Sequence, residues 1–359
     1  MLLAKNKCLA LFDSLKNNSR IIYKDLCVRK YMPIILGIES TAHTFGVAIV
    51  KNKKILANVK RSFTTKKGEG GMIPIVVARF HNENKNEIYN EALKVAGIKE
   101  EEIDAISFSQ GPGLAPCLLV GMRFAKELSR KLNVPIVGVN HCIAHLEIGR
   151  ATGARDPVML YASGANTQVI AYSSGKYRIF GETLDIGIGN FIDTIARSMN
   201  LGFPGGPKLE ELAKSGKNYI ELPYSVKGMD IALSGIQTKI RQLLKKNYSK
   251  KDLAYSMQET VFAMLVEVSE RALAHTGKKE LLLGGGVACN KRLQKMCKIM
   301  CRERGAKLFI LKNELLVDNA AMIAYLGEIM FRRGIYEKDL KKVDIHPRER
   351  TDNVKVRLE

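Results

Sequence analysis

His141 and His145 stand four residues apart in Asn140-His141-Cys142-Ile143-Ala144-His145. On a helix that spacing puts both imidazoles on one face, where they suit a single metal ion. Two nitrogen ligands leave a site incomplete, so a carboxylate from elsewhere is needed. Asp318, in Leu316-Val317-Asp318-Asn319-Ala320-Ala321, is the candidate, although an Asp at that position also serves as an N-cap. A zinc-protease reading fails on the neighbouring residues. H-E-x-x-H chemistry needs a glutamate beside the first histidine, and that place holds Cys142, with Glu147 beyond the second histidine. His43, His81, His275 and His346 read as surface or structural residues.

A second group of residues suits an anion. Glu39-Ser40-Thr41 ends one predicted strand, and Ser163-Gly164-Ala165-Asn166-Thr167 ends its counterpart. Paired turns of small, hydroxyl-bearing residues bring backbone N–H groups up to phosphate oxygens. Duplicated lobes of the actin, Hsp70 and sugar kinase type hold nucleotides in this way. Pro204-Gly205-Gly206-Pro207 precedes a helix whose first turn contains Glu210, and Gly284-Gly285-Gly286-Val287-Ala288-Cys289-Asn290 follows a strand and opens a helix. Glycines there admit a base or ribose. Asp193 is a candidate carboxylate for ribose hydroxyls. Each cluster taken singly is also what a plain turn looks like.

These residues need elements to position them. Ile34–Glu39, 45–50 and 55–61 read as a three-stranded meander. A helix over 77–95, a strand over 105–109, a helix over 118–132, a strand over 136–139 and a helix over 142–150 follow. The grammar then restarts with strands over 158–163, Thr167–Ser173 and 177–184, and helices over 188–199, 207–215 and 255–276. A strand over 280–283, a helix over 291–304, a strand over 308–311 and a helix over 319–333 complete the pattern. LGIESTAHTFGVAIVKNKKILAN and LYASGANTQVIAYSSGKYRIFGE match strand for strand and turn for turn. Repetition of one supersecondary unit predicts two similar α/β lobes with a ligand crevice between them.

The expected organisation is a basic extension over 1–33, a first lobe over 34–150 and a second over 151–318. A terminal helix over 319–335 packs back on the first lobe, and an irregular charged tail covers 336–359. Hydrophobic residues at 46% and charged residues at 26% of 359 exclude collagen-like, coiled-coil and wholly disordered chains. No apolar run is long enough to span a bilayer. Seven scattered cysteines without a CxxC pair favour reduced thiols in the cytoplasm. The 57 Lys and Arg against 36 Asp and Glu leave a charge of +21, which attracts polyanions, nucleic acid first. The acid-free set Lys239, Arg241, Lys245, Lys246, Lys250 and Lys251 is suited either to nucleic-acid phosphates or to a solvated helix face.

The motifs at 140–145, 163–168, 203–207, 284–290 and 317–321 together resemble the universal tRNA threonylcarbamoyltransferase family. Its bacterial members are called TsaD, and its archaeal and eukaryotic members are the catalytic subunit of the KEOPS complex. Gly187-Ile188-Gly189-Asn190 and Pro347-Arg348-Glu349-Arg350-Thr351-Asp352 are similar to the KEOPS type. The resemblance covers residues 34–359. It implies a duplicated RNase H-like (actin/Hsp70/sugar kinase) fold with a central cleft. The implied reaction moves a threonylcarbamoyl group from threonylcarbamoyl-AMP to N6 of the adenosine 3′ of the anticodon in ANN-decoding tRNAs.

By matched position, His141, His145 and Asp318 are the implied catalytic metal ligands for one divalent ion, iron or zinc, with Tyr161 near or on it. Tyr161, Ala162, Ser163, Gly164, Ala165, Asp193, Gly206, Glu210 and Asn290 are the implied adenylate contacts, a site that ATP or AMP would also fit. The implied partners are tRNA, a separate small protein kinase-like chain and a small dimerising subunit. Two departures stand out: Ala165 replaces a glycine, at a cost of about 1 kcal/mol if the position needs φ > 0. Ile75–His81 lacks one histidine and the leading arginine of the family's stretch. The competing classes are an ATPase or kinase on the same fold and a non-catalytic nucleic-acid-binding subunit. Nitrogen ligands disfavour the first, because Mg²⁺ prefers oxygen.

Overall fold

The apolar run of 34–39 is buried on both faces, which marks a central strand rather than an edge. In the computed structural model, which describes residues 32–64 and 72–354, it forms β1 (Ile34–Glu39). β1 pairs antiparallel with β2 (Thr44–Lys51), and β2 with β3 (Lys54–Ser62). After α1 (Pro74–Ala96), β4 (Ala105–Gly111) adds parallel to β1. After α2 (Ala115–Leu132), β5 (Ile136–Asn140) adds parallel to β4, giving the order β3-β2-β1-β4-β5. The helix α3 (His141–Ile148) follows β5 directly.

The second sheet repeats the first. β6 (Val158–Ala162), β7 (Thr167–Ser173) and β8 (Lys176–Glu182) form the antiparallel meander. The helices α4 (Ile188–Ser198) and α5 (Gly206–Ala213) follow, then a small hairpin of β9 (Val226–Lys227) and β10 (Asp230–Ile231). α6 (Ser234–Lys245) and α7 (Lys250–Thr276) come next. β11 (Glu280–Gly284) then joins parallel to β6, α8 (Lys291–Glu303) crosses over, and β12 (Lys307–Ile310) completes the order β12-β11-β6-β7-β8. Both sheets share one topology, and each carries a bulge in its third strand, at Leu56 opposite Ile49/Val50 and at Phe180 opposite Val169/Ile170. This is the duplicated RNase H-like architecture.

A short turn α9 (Asn313–Leu316) leads to α10 (Ala320–Arg332), which is buried along most of its length. α10 lies on β1, and Gly37 makes that possible: a Cβ there would stand 2.5 Å from the Ala324 nitrogen and 2.6 Å from the Ala320 oxygen. The β9–β10 hairpin and the short α9 were not expected, and two longer helices differ from the sequence reading. α6 entered the sequence reading only as the solvated-helix alternative for the basic set, and Ile236, Ile240 and Leu243 bury one face of it. α7 begins at Lys250 rather than near Tyr255, because its first turn is polar and is held by the Ser249 cap on the Asp252 N–H. The basic extension before Met32 and the last residues of the tail lie outside the described residues.

From 337 to 354 the chain is irregular apart from a turn at Thr351–Asn353. The His346 N–H donates to the Gln110 carbonyl (2.8 Å) and the Gly113 N–H to the Pro347 carbonyl (3.1 Å), both beside the first sheet. Arg350 then pairs with Glu182 of the second sheet (3.3 Å). The tail therefore stitches the two lobes together.

His81, on α1, is wholly buried against the rings of Phe45 and Phe80, and neither ring nitrogen reaches a well-formed partner. Burial outweighs a weak pull from the His43 backbone and lowers its pKa from 6.5 to about 4. The unfolded chain thus takes up this proton first, so the contribution of His81 to stability is constant above pH 6.5 and falls as pH drops towards 4. Between pH 7 and pH 5 the loss is about 2 kcal/mol, at 1.36 kcal/mol per unit. Urea unfolding at the two pH values should show a loss larger by this amount in the native chain than in His81→Phe.

Candidate metal centre

β5 delivers the chain at Asn140, whose side-chain oxygen accepts from the Ile143 N–H (3.1 Å) and caps α3. Glu349 of the tail in turn accepts from the Asn140 amide (2.8 Å). His141 and His145 are both buried, with ring centroids 4.8 Å apart. Asp318 arrives from 173 residues further along the chain than His145, on the loop between α9 and α10. Its Oδ1 lies 3.4 Å from Nε2 of each histidine. The three ligand atoms fall within 4.8 Å of one another. The N-cap of α10 is not Asp318 but Asn319, which accepts from the Met322 N–H (3.1 Å) and leaves the aspartate carboxylate unspent.

Behind His141 stands Glu39, fully buried, with Oε2 3.0 Å from Nδ1. Its other oxygen accepts from the Thr41 N–H (2.7 Å) and the Thr41 hydroxyl. A proton on Nδ1 bound to Glu39 leaves the Nε2 lone pair facing Asp318 and the Tyr161 hydroxyl, which is 3.1 Å away. Burial opposes charge on His141, but Glu39 and Asp318 outweigh it and hold its pKa well above the usual value. Burial lowers that of His145. Burial would raise Asp318, yet the two imidazoles hold its carboxyl well below the usual range. Burial keeps Tyr161 protonated. The Nδ1 of His145 is buried without a hydrogen-bond partner. Two carboxylates around two buried imidazoles attract positive charge, and the donor set of two nitrogens and one oxygen fits a divalent transition metal.

The candidate adenylate residues divide into two groups. The turn at Ala162-Ser163-Gly164-Ala165 packs against the start of α4, where the Gly189 and Asn190 N–H groups donate to the carbonyls of Ser163 (3.0 Å) and Gly164 (2.9 Å). Gly285, at φ +87°, stacks on the Ala162 carbonyl, where a side chain would collide. Gly286 lies beside Val317, next to Asp318, so the turn, the glycine loop and the metal ligands are contiguous. Ala165 is not among the residues with positive φ, so the strain expected of it does not arise. In the second group, Asp193 accepts from the Gly205 N–H (2.7 Å), and burial raises its pKa against that bond. Space is open where a Cβ of Gly206 would be. Glu210 accepts from the Lys291 N–H (2.8 Å), and Asn290 caps α8 (2.8 Å to the Arg292 nitrogen) while donating to Gln258 (3.0 Å). Glu210 and Asn290 thus meet at the head of α8, with these groups engaged in fixing the loop.

Sequence reasoning gave three residues here no part in the metal centre or the crevice contacts. Glu39 was read as a turn residue only. Lys60, on β3, reaches across the crevice, and its Nζ donates to the carbonyls of Asp318 (3.1 Å) and Glu314 (3.2 Å). His43, in the first lobe, meets Phe203 of the second edge-on at 6.2 Å and acts on the charge of Asp193. The only sequence signal for them is their place in or beside the first meander. Glu147, left out of the metal reading, binds Tyr177 and Arg150 instead.

The profile of the tRNA N6-adenosine threonylcarbamoyltransferase family, TsaD, matches residues 54–325. The tRNA N6-adenosine threonylcarbamoyltransferase of Thermococcus kodakarensis is 54% identical over 324 residues, which cover 90% of this chain and 99% of that protein. A Methanosarcina barkeri protein named as a probable bifunctional tRNA threonylcarbamoyladenosine biosynthesis protein is 50% identical over 326 residues, 90% of this chain and 59% of its own length. The crystal structure of HypF from T. kodakarensis shares the fold at a TM-score of 0.60 and 17% identity, over 85% of this chain and 48% of HypF. A profile match running through both lobes, and an archaeal relative matched along nearly its whole length, make this chain a member of the tRNA N6-adenosine threonylcarbamoyltransferase family.

Proposed function

We propose that His141, His145 and Asp318 hold one divalent ion, iron or zinc, with Tyr161 at its edge. Beside it a threonylcarbamoyl group would pass from threonylcarbamoyl-AMP to N6 of the adenosine 3′ of the anticodon in ANN-decoding tRNAs. The transferase activity follows from family membership. The convergence of three ligand atoms from two ends of the fold carries the metal assignment. Bound there, the ion would supply Lewis acidity and open positions for the threonyl carboxylate or hydroxyl.

The chain's own residues do the rest. Glu39 fixes the ring of His141, and Lys60 fixes the loop of Asp318 from the opposite lobe. The backbone N–H groups of Gly164 and Ala165 are committed to no described acceptor, which supports them as donors to the phosphate of the leaving AMP. Asp193, Gly206, Glu210 and Asn290 would line the nucleoside end. The adenylate is already activated, so positioning of the weakly nucleophilic amine is the main demand on the protein. The tRNA adenosine leaves its stack to enter the crevice, at a cost of a few kcal/mol.

The reading extends to a KEOPS-type assembly with a separate small protein kinase-like chain and a small dimerising subunit. The bifunctional Methanosarcina relative, whose length extends well past the match, supports a linked second activity. No described helix is long and apolar enough to cross a membrane, and the described cysteines are unpaired, which supports the cytoplasm. Lobes at 34–150 and 151–318, with 319–335 returning to the first lobe, are the corresponding units. The test combines the purified chain, synthetic threonylcarbamoyl-AMP and an ANN-decoding tRNA, with and without partner subunits, and analyses nucleosides by mass spectrometry. Threonylcarbamoyladenosine is expected. ATP turnover without tRNA, and no modified nucleoside in any combination, would overturn the reading.

A further inference from the structure

α8 carries five basic residues and one acid in KRLQKMCKIMCRE. Lys291, Lys295, Lys298 and Arg302 recur at i, i+4, i+7 and i+11, and all four are exposed. At 100° per residue they fall within an arc of about 60° and extend about 17 Å along the axis. Leu293, Cys297, Met300 and Cys301 bury the opposite face. None of the four cations joins an ion pair among the described residues, whereas Arg292 and Arg304, off the stripe, pair with Glu259 and Glu270. The acid-free set at 239–251 is arranged differently. Arg241 and Lys245 stand roughly 200° and 240° around α6 from Lys239, so that set presents no single face.

The stripe begins at the crevice. Asn290 caps α8, and the Lys291 N–H is held by Glu210, two of the residues proposed to line the nucleoside site. We infer that the Lys291–Lys295–Lys298–Arg302 face of α8 is a docking track for the phosphodiester backbone of the tRNA whose adenosine enters that crevice. The inference rests on the proposed reaction. An unpaired, one-sided row of cations running outward from the site complements a polyanion that must itself run outward from the site. The row would position the strand and read no sequence.

The test uses the full chain and measures tRNA binding across about 50–200 mM salt. The variant Lys295→Gln/Lys298→Gln/Arg302→Gln touches no proposed catalytic residue. It should weaken tRNA binding on the order of a hundredfold at 0.1 M salt and reduce the slope of log K against log salt by roughly 2–3. AMP binding should be unchanged, and Lys295→Arg/Lys298→Arg should bind tRNA like the native chain. Native affinity and slope in the triple glutamine variant would overturn the track and leave the proposed reaction standing. So would lost affinity at unchanged slope, or a larger slope change in Lys239→Gln/Arg241→Gln/Lys245→Gln. Absence of tRNA binding by the native chain, both alone and with the partner subunits, would remove both the reaction and the track.

Discussion

Joint replacement of His141 and His145 by alanine is expected to reduce bound metal from about one ion per chain to none, and threonylcarbamoyladenosine formation to background. Both imidazoles are buried and both face Asp318 at 3.4 Å. Without them one carboxylate remains, and a single oxygen ligand in a dry site does not retain a transition metal. Removal of the rings also leaves cavities, so His141→Asn/His145→Gln, which keeps polarity and most of the volume, is the companion variant. Elemental analysis and nucleoside mass spectrometry read the two losses separately. Modified tRNA formed at the native rate by either variant would refute the metal assignment.

Glu39→Gln is expected to weaken metal binding by about 10–100-fold while the fold persists. The substitution keeps the shape of the side chain and its contact with the Thr41 N–H. It removes the charge that draws positive charge to His141 and the acceptor that fixes the Nδ1 proton. Competition against a chromophoric chelator measures the affinity, and urea unfolding measures the fold. Native affinity in Glu39→Gln would make this glutamate a packing residue with no part in orienting the ligand.

The duplicated meander was legible because each copy carries its own strand periodicity and turn residues, and the copies align in sequence. The pair on α3 was legible because i, i+4 spacing is a local property. Asp318 was legible only as a candidate third ligand that could as well be an N-cap, and the resemblance singled it out. Glu39 and Lys60 were not legible, because they act on residues 102 and 258 positions away. Only the closed sheet order and the packing of α10 on β1 bring such distances together. The run at 239–251 shows the opposite failure. Composition marked it as a patch, and helical geometry distributes it around α6 and onto the start of α7. The more dispersed cations of α8, which form no run in the sequence, line up on one face. Ala165 looked strained only under the assumption of a left-handed backbone, which its turn does not use.

The account depends on one ion held jointly by α3 and the loop before α10. X-ray absorption at the metal edge of the purified chain tests this most directly. The predicted spectrum shows the scattering of two imidazoles together with oxygen ligands, and it is lost in His141→Asn/His145→Gln. A stoichiometric metal without imidazole scattering, or an unchanged spectrum in that variant, would contradict it.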